Sequence, residues 1–202
     1  MKLKKLVLPL GSVLLLALLA GAWCWQFFSL NRFYWELSGQ KTNIYPFQEI
    51  VWFESDYVDK DLQCQGYGIR VDSFSIQDYQ SYMNDNCFSI PQEGQLPEKI
   101  ALVTVTLFND SSTAPGVMLP ELTLHGIDSY SLVDWEILWA ANPVLDNKLG
   151  IRLAPGSQRQ LVLPFPLSKK LYSGSTWKNL DDYAFYLRIT SYPTAKDLCV
   201  TP

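Results

Sequence analysis

Residues 6–28 contain no charged side chain, and Lys2, Lys4 and Lys5 stand directly before them. As a helix rising 1.5 Å per residue, such a run reaches about 34 Å, enough for a hydrocarbon core of about 30 Å. A segment of that kind withdraws itself from any water-soluble core, so the fold must be made by the residues beyond it. Lysines on the N-terminal side hold that end in the cytoplasm and send the remainder across. The chain then divides into a cytoplasmic tail at 1–5, a single-pass anchor at 6–28, a connector at 29–46 and one extracellular domain at 47–202. Trp23, Trp25, Phe27 and Phe28 fall where amphipathic rings settle, at the outer interface.

A second reading stands beside the anchor. Ala20-Gly21-Ala22 supplies the small residues a signal peptidase requires, and cleavage after Ala22 would release a secreted domain. The length of the apolar run and the bulky aromatics beyond the site favour the anchor. Cys24 does not read as a lipoprotein cysteine, because Trp23 stands where a small residue is needed.

Roughly 170 residues remain after the anchor, the usual size of a single domain. Setting aside the three N-terminal lysines, 13 basic residues face 20 acidic ones, a balance of −7. An acidic surface is repelled by phosphate backbones, which argues against nucleic acid as a partner. The expected partners are the lipid bilayer, through the N-terminal helix, and another envelope protein or an extracellular ligand.

The pattern along the domain is that of strands. Residues 47–53 form the first convincing one. In 67–76, Tyr67, Ile69 and Val71 alternate with Arg70 and Asp72, and the phase slips near Ser73 so that Phe74 and Ile76 continue on the other parity, as at a bulge or bend. Tyr79, Tyr82 and Met83 at i, i+3 and i+4 predict one short helix over 77–85. Residues 100–108 are the best strand, with Ala101, Val103, Val105 and Leu107 on one face. Strands are expected at 117–125 and 130–140. Residues 149–153 and 160–165 read as strands around Ala154-Pro155-Gly156-Ser157, whose Pro and Gly suit a tight reversal. Tyr183, Phe185, Leu187 and Ile189 share one face of a closing strand over 183–190. Seven or eight short strands with regular turns predict a single antiparallel β-sandwich, mainly β with one short helix.

Three runs carry a resemblance. Gly66-Tyr67-Gly68-Ile69-Arg70-Val71, the Leu96-Pro97-Glu98-Lys99 lead into a strand ending Phe108-Asn109, and Leu153-Ala154-Pro155-Gly156 before Leu163-Pro164-Phe165 resemble a family of Gram-positive bacterial surface proteins. The likeness spans roughly residues 45–190. It implies a short N-terminal membrane segment, an immunoglobulin-like β domain and a cell-surface setting. The family has no assigned function, so no catalytic residue is carried over.

The chemistry legible in the residues is sparse. His125 is the sole histidine and lies in an expected strand, which suits a structural or surface role better than that of a base. No nucleophile elbow, zinc-protease, phosphate-loop or dinucleotide fingerprint occurs, so no catalytic, cofactor or metal residue is assigned. Asp181-Asp182 and the run Asp56, Asp59, Asp61 keep a carboxylate-based hydrolase open as an alternative, although a solvated acidic loop is the simpler account. Three cysteines come after the anchor, and Cys64 with Cys87 is the candidate disulfide, each flanking an expected element. Trp135 and Trp139, four apart, share one face of either a strand or a helix. Buried, they fill the core; exposed, they form a stacking platform for a sugar or a partner protein. The leading expectation is a surface-tethered binding or accessory module of the envelope, not an enzyme, with a purely structural envelope protein as a third possibility.

Overall fold

The computed structural model describes residues 18–29, 41–61, 64–88, 96–112, 116–127 and 129–202. The chain forms two compact units, residues 1–40 and 41–202. In the first, residues 18–29 are helical (α1), with Trp23, Trp25, Phe27 and Phe28 exposed and Trp23 stacked on Phe27 at 5.6 Å. The tail at 1–5 and the anchor residues 6–17 lie outside the described residues. Among the described residues, no helix is long and apolar enough to cross a membrane.

The second unit is a β-sandwich. Its four-stranded sheet runs β2 (Val51–Trp52), β3 (Tyr67–Asp78), β4 (Lys99–Asn109), β9 (Gln158–Leu167), all antiparallel. Alternation drives these strands: Tyr67, Ile69, Val71, Val103, Val105, Leu107, Leu163 and Phe165 are fully buried in one cluster. The phase slip at Ser73 is a β-bulge. Val71 pairs with Val105 and Ser73 with Thr104, which leaves Asp72 as the extra residue and returns Phe74 and Ile76 to the core side. Asp72 is not idle, for its carboxylate accepts hydrogen bonds from Arg70 Nε, Thr106 Oγ1 and Gln160 Nε2, tying three strands together.

Ile100, Leu102 and Val162 point to the opposite face of this sheet, where two helices cover them. The expected helix is present as α2 (Tyr79–Asp85), its start fixed by Asp78, whose side chain accepts from Ser81 N. The second, α3 (Trp135–Ala141), replaces most of the strand expected over 130–140; Asp134 caps it by accepting from the amides of Glu136 and Ile137. A third short helix, α4 (Gly174–Lys178), comes later in the chain. The domain thus has three α-helices among its described residues where one was expected.

The five-stranded sheet runs β1 (Lys41–Tyr45), β11 (Thr194–Cys199), β10 (Tyr186–Thr190), β6 (Thr123–His125), β7 (Tyr130–Leu132). Leu124, Leu187, Ile189 and Leu198 face the common core. Two of its strands, β1 and β11, revise the sequence reading. Residues 41–45 belong to the sheet and not to the connector, and β11, unexpected, lies inside the sheet with β1 parallel to it. The sandwich is therefore not wholly antiparallel. The reversal at Pro155-Gly156 forms, closed by Ser157 N donating to Ala154 O at 3.1 Å with Gly156 at φ +70°. Its flanking strands do not pair with each other, however: β8 (Gly150–Ile151) pairs with β5 (Val117–Met118), and β9 pairs with β4. Asn109 docks the turn instead, its Nδ2 donating to Leu153 O at 2.8 Å and its carbonyl accepting from Gly156 N.

The strand orders bear out a mainly β sandwich but do not establish the immunoglobulin-like topology expected from the sequence. The four-stranded sheet has the consecutive meander β2-β3-β4 where an immunoglobulin domain has strands A-B-E-D. The two long strands β3 and β4 cause the departure, because they pair over their full length and displace any other neighbour from between them.

Cys64 and Cys87 are not joined. Cys64 is buried in the inter-sheet core, while Cys87 is exposed just beyond α2 at a left-handed φ of 57°, on the far face of the four-stranded sheet. The sheet itself separates them. Burial and the charge of Glu121 push the Cys64 thiol up to about 11. Under native conditions at pH 8, a maleimide should label Cys87 within minutes and Cys64 more than about a hundredfold more slowly, since the thiolate is the reacting form. Mass mapping of timed aliquots checks this, and comparable rates would contradict the burial of Cys64.

Candidate functional site

A concavity of the domain lies beside β7. This edge strand has an inverted pattern: Ser131 is buried, while Tyr130 and Leu132 are 61% and 56% exposed. The Ser131 hydroxyl donates to Pro166 O at 2.7 Å and Asp134 N to Pro164 O at 2.9 Å, which fixes the polar residue inward against β9. With the exposed side chains of Trp135 and Leu171, β7 borders a groove of about 700 Å³. Its charged lining residues are Asp134 and Glu136. A second hollow of about 330 Å³, between α2 and α3, shares these two carboxylates and adds Tyr79, Met83, Cys87 and Phe88.

Trp135 and Trp139, expected to share one face, have different surroundings. They meet edge to face on α3, ring centroids 4.8 Å apart. Trp139 is half-buried against the core and its Nε1 donates to Lys148 O at 3.0 Å, so it anchors the helix. Trp135 is 48% exposed and opens onto the groove. Tyr130, Leu132, Leu171, Asp134 and Glu136 escaped the sequence reading. The Tyr-Ser-Leu alternation signals a strand but points its apolar face inward, and only the packing of Ser131 on Pro166 reverses it.

His125 lies on β6 and is not itself a groove-lining residue, with Nε2 2.8 Å from Thr123 Oγ1 and its ring stacked at 6.0 Å on Tyr130, which is one. Burial, then the charge of Arg188, hold its pKa below the ordinary value, with Asp197 acting the other way. The unfolded chain therefore takes up the proton first, and the stabilisation is present above about pH 6.5 and lost as pH falls through the depressed native pKa. His125→Gln should remove this component of the acid sensitivity and change the unfolding free energy at pH 7.5 by less than about 1 kcal/mol, as urea titrations at pH 7.5 and at about pH 5 would show. An unchanged acid dependence would contradict the assignment.

The other acidic residues are placed elsewhere. Asp56 is buried and paired with Lys196, which corrects its reading as part of a solvated loop; Asp59 and Asp61 are exposed, with Asp61 N donating to Asp59 Oδ1. Asp181 and Asp182 are exposed on a single 3₁₀ turn. Among the described residues, no group of three or more His, Cys, Asp or Glu is arranged to hold a metal ion.

Fold and groove together define a β-sandwich domain with a lateral, aromatic-lined cleft at a sheet edge. The chain belongs to the family described as a domain of unknown function (DUF5028), whose model matches residues 42–196. It is also similar to an uncharacterised β-sandwich protein from Clostridium difficile 630, at 7% identity over 80% of this chain and 96% of that one, with a TM-score of 0.40. No curated protein matches the sequence.

Proposed function

We propose that this domain is a binding or accessory module of the bacterial envelope, held at the outer face of the membrane by its N-terminal segment, and that it contacts its partner through the groove beside β7. The observation that carries this reading is the cluster of Tyr130, Leu132, Trp135 and Leu171, four large apolar side chains left exposed around one cleft. Exposed apolar area of this kind, rimmed by polar groups, is characteristic of interaction sites. The lysines before residue 6, the uncharged run and the aromatic ring belt on α1 support the tether and the outward orientation. The Gram-positive setting rests on the sequence resemblance alone.

A photo-crosslinking amino acid at position 135, in living cells, tests the contact face. Adducts should form from position 135 and not from the exposed Lys178, and Leu132→Asp should abolish them. Equal adducts from both positions, or none from 135, would remove the groove as the contact face. Protease added to intact protoplasts should digest the domain, whereas protein in the medium beginning at Trp23 would replace the anchor with a cleaved signal.

A further inference from the structure

We propose that the groove receives an extended segment of a partner protein, carrying a Lys or Arg among alternating apolar residues, which adds to β7 as a further strand. The inference rests on the binding-module reading and names the kind of partner.

The first argument is the edge itself. Among the described residues, β7 ends the five-stranded sheet and pairs only with β6, which leaves its outer backbone groups without a neighbour in that ladder. The groove runs along consecutive residues 129–136, which take in this strand and the start of α3. Natural sheets blunt their edges, and both edges of the four-stranded sheet here are blunted. β9 carries Pro164 and Pro166, whose carbonyls are already taken by Asp134 N and Ser131 Oγ, and β2 is only two residues long. β7 is short as well, but it is bordered by open space and by exposed Tyr130 and Leu132. In strand addition the main chain supplies affinity, and pockets for alternate side chains supply selectivity.

The second argument is charge. Asp134 and Glu136 are the charged residues lining both hollows, and neither α2 nor α3 contains a Lys or Arg. Lys169 and Lys170 precede Leu171 but do not line the groove. Trp135, between the two carboxylates in sequence, is 48% exposed, and an indole is a side chain that attracts cations. A basic side chain is complemented there, and an acidic one is repelled.

A displayed library of random linear peptides, selected on the purified full-length chain, provides the test. Selected peptides should be enriched in Lys or Arg between apolar residues. A synthetic copy should slow amide hydrogen exchange at residues 130–132, the signature of new main-chain pairing that side-chain docking alone would not give. Glu136→Lys should weaken that peptide at least tenfold, and reselection on this variant should favour acidic sequences. Selected peptides without a basic residue, or protection confined to other segments, would overturn the proposal. If no peptide is selected while crosslinks from position 135 persist in cells, strand addition fails and the binding module stands; if the crosslinks are absent too, both fail.

Discussion

Lys196→Ala is expected to destabilise the sandwich by about 3–5 kcal/mol, the usual cost of leaving a buried charge without its partner. The Lys196 ammonium is 3% exposed, 2.9 Å from Asp56 Oδ2, 3.0 Å from Glu54 Oε2 and 2.9 Å from Trp52 O. Asp56 Oδ1 in turn accepts from Thr194 N. The cluster is a clasp between the sheets, joining β11 to the segment that leaves β2. Truncating the lysine strands the Asp56 carboxylate, itself 7% exposed, in the interior. Burial opposes the ammonium's charge, but the hydrogen bonds and charges of Asp56 and Glu54 outweigh it and raise the pKa. The contribution is therefore complete below the unfolded value of about 10.4 and lost as pH rises through the raised native pKa. Urea unfolding at pH 7 measures the loss, and a change under about 1 kcal/mol would show that the ammonium is not confined as described. Pairing Lys196→Met with Asp56→Leu should recover a large part of it, because two apolar side chains leave no orphaned charge.

Tyr67→Ala should cost at least as much, about 3–5 kcal/mol for the cavity, with a further contribution from a lost hydrogen bond. The ring is fully buried among β3, β4 and β9, and Leu153 N donates to its hydroxyl at 2.8 Å. That bond pins the loop before the Pro155-Gly156 turn to the core. Tyr67→Phe isolates it: a loss of about 1 kcal/mol is expected, with the core otherwise intact. Equal losses from the two variants would mean that the hydroxyl, and not the ring, holds the region together.

Both predictions bear on how much of the fold could be read in advance. Tyr67 was legible because it opens an alternating run whose partner strand alternates too. The bulge at Asp72 was legible for the same reason, since a change of parity leaves a mark in the order of residues. Lys196 was not. Residues 194–199 read Thr-Ala-Lys-Asp-Leu-Cys, and two adjacent charges argue against a central strand, yet Lys196 and Asp197 are both buried there. Arg188, opposite on the neighbouring strand β10, satisfies Asp197 with two hydrogen bonds of 2.8 Å, and Asp56 and Glu54 satisfy Lys196 from a segment far away in the chain. The burial of a charge depends on its compensation, and compensation is not a local property.

The groove divides in the same way. The spacing of Trp135 and Trp139 placed them on one side of an element, and nothing in the spacing could tell which indole would be covered. Lys148 O and the core claimed Trp139, leaving Trp135 to the solvent. By itself, the sequence determined the long strands β3 and β4, the helix α2, the reversal at Pro155-Gly156 and the two-layer β architecture, because each arises from periodicity or turn chemistry within a few residues. Tertiary structure alone decided the parallel pairing of β1 with β11, the separation of Cys64 from Cys87, and the outward turn of Tyr130 and Leu132. The reason is physical: hydrogen bonds to Pro164 and Pro166, ion pairs across the sandwich and the intervening sheet are contacts between residues far apart in the chain, and no short stretch of sequence records its distant neighbours.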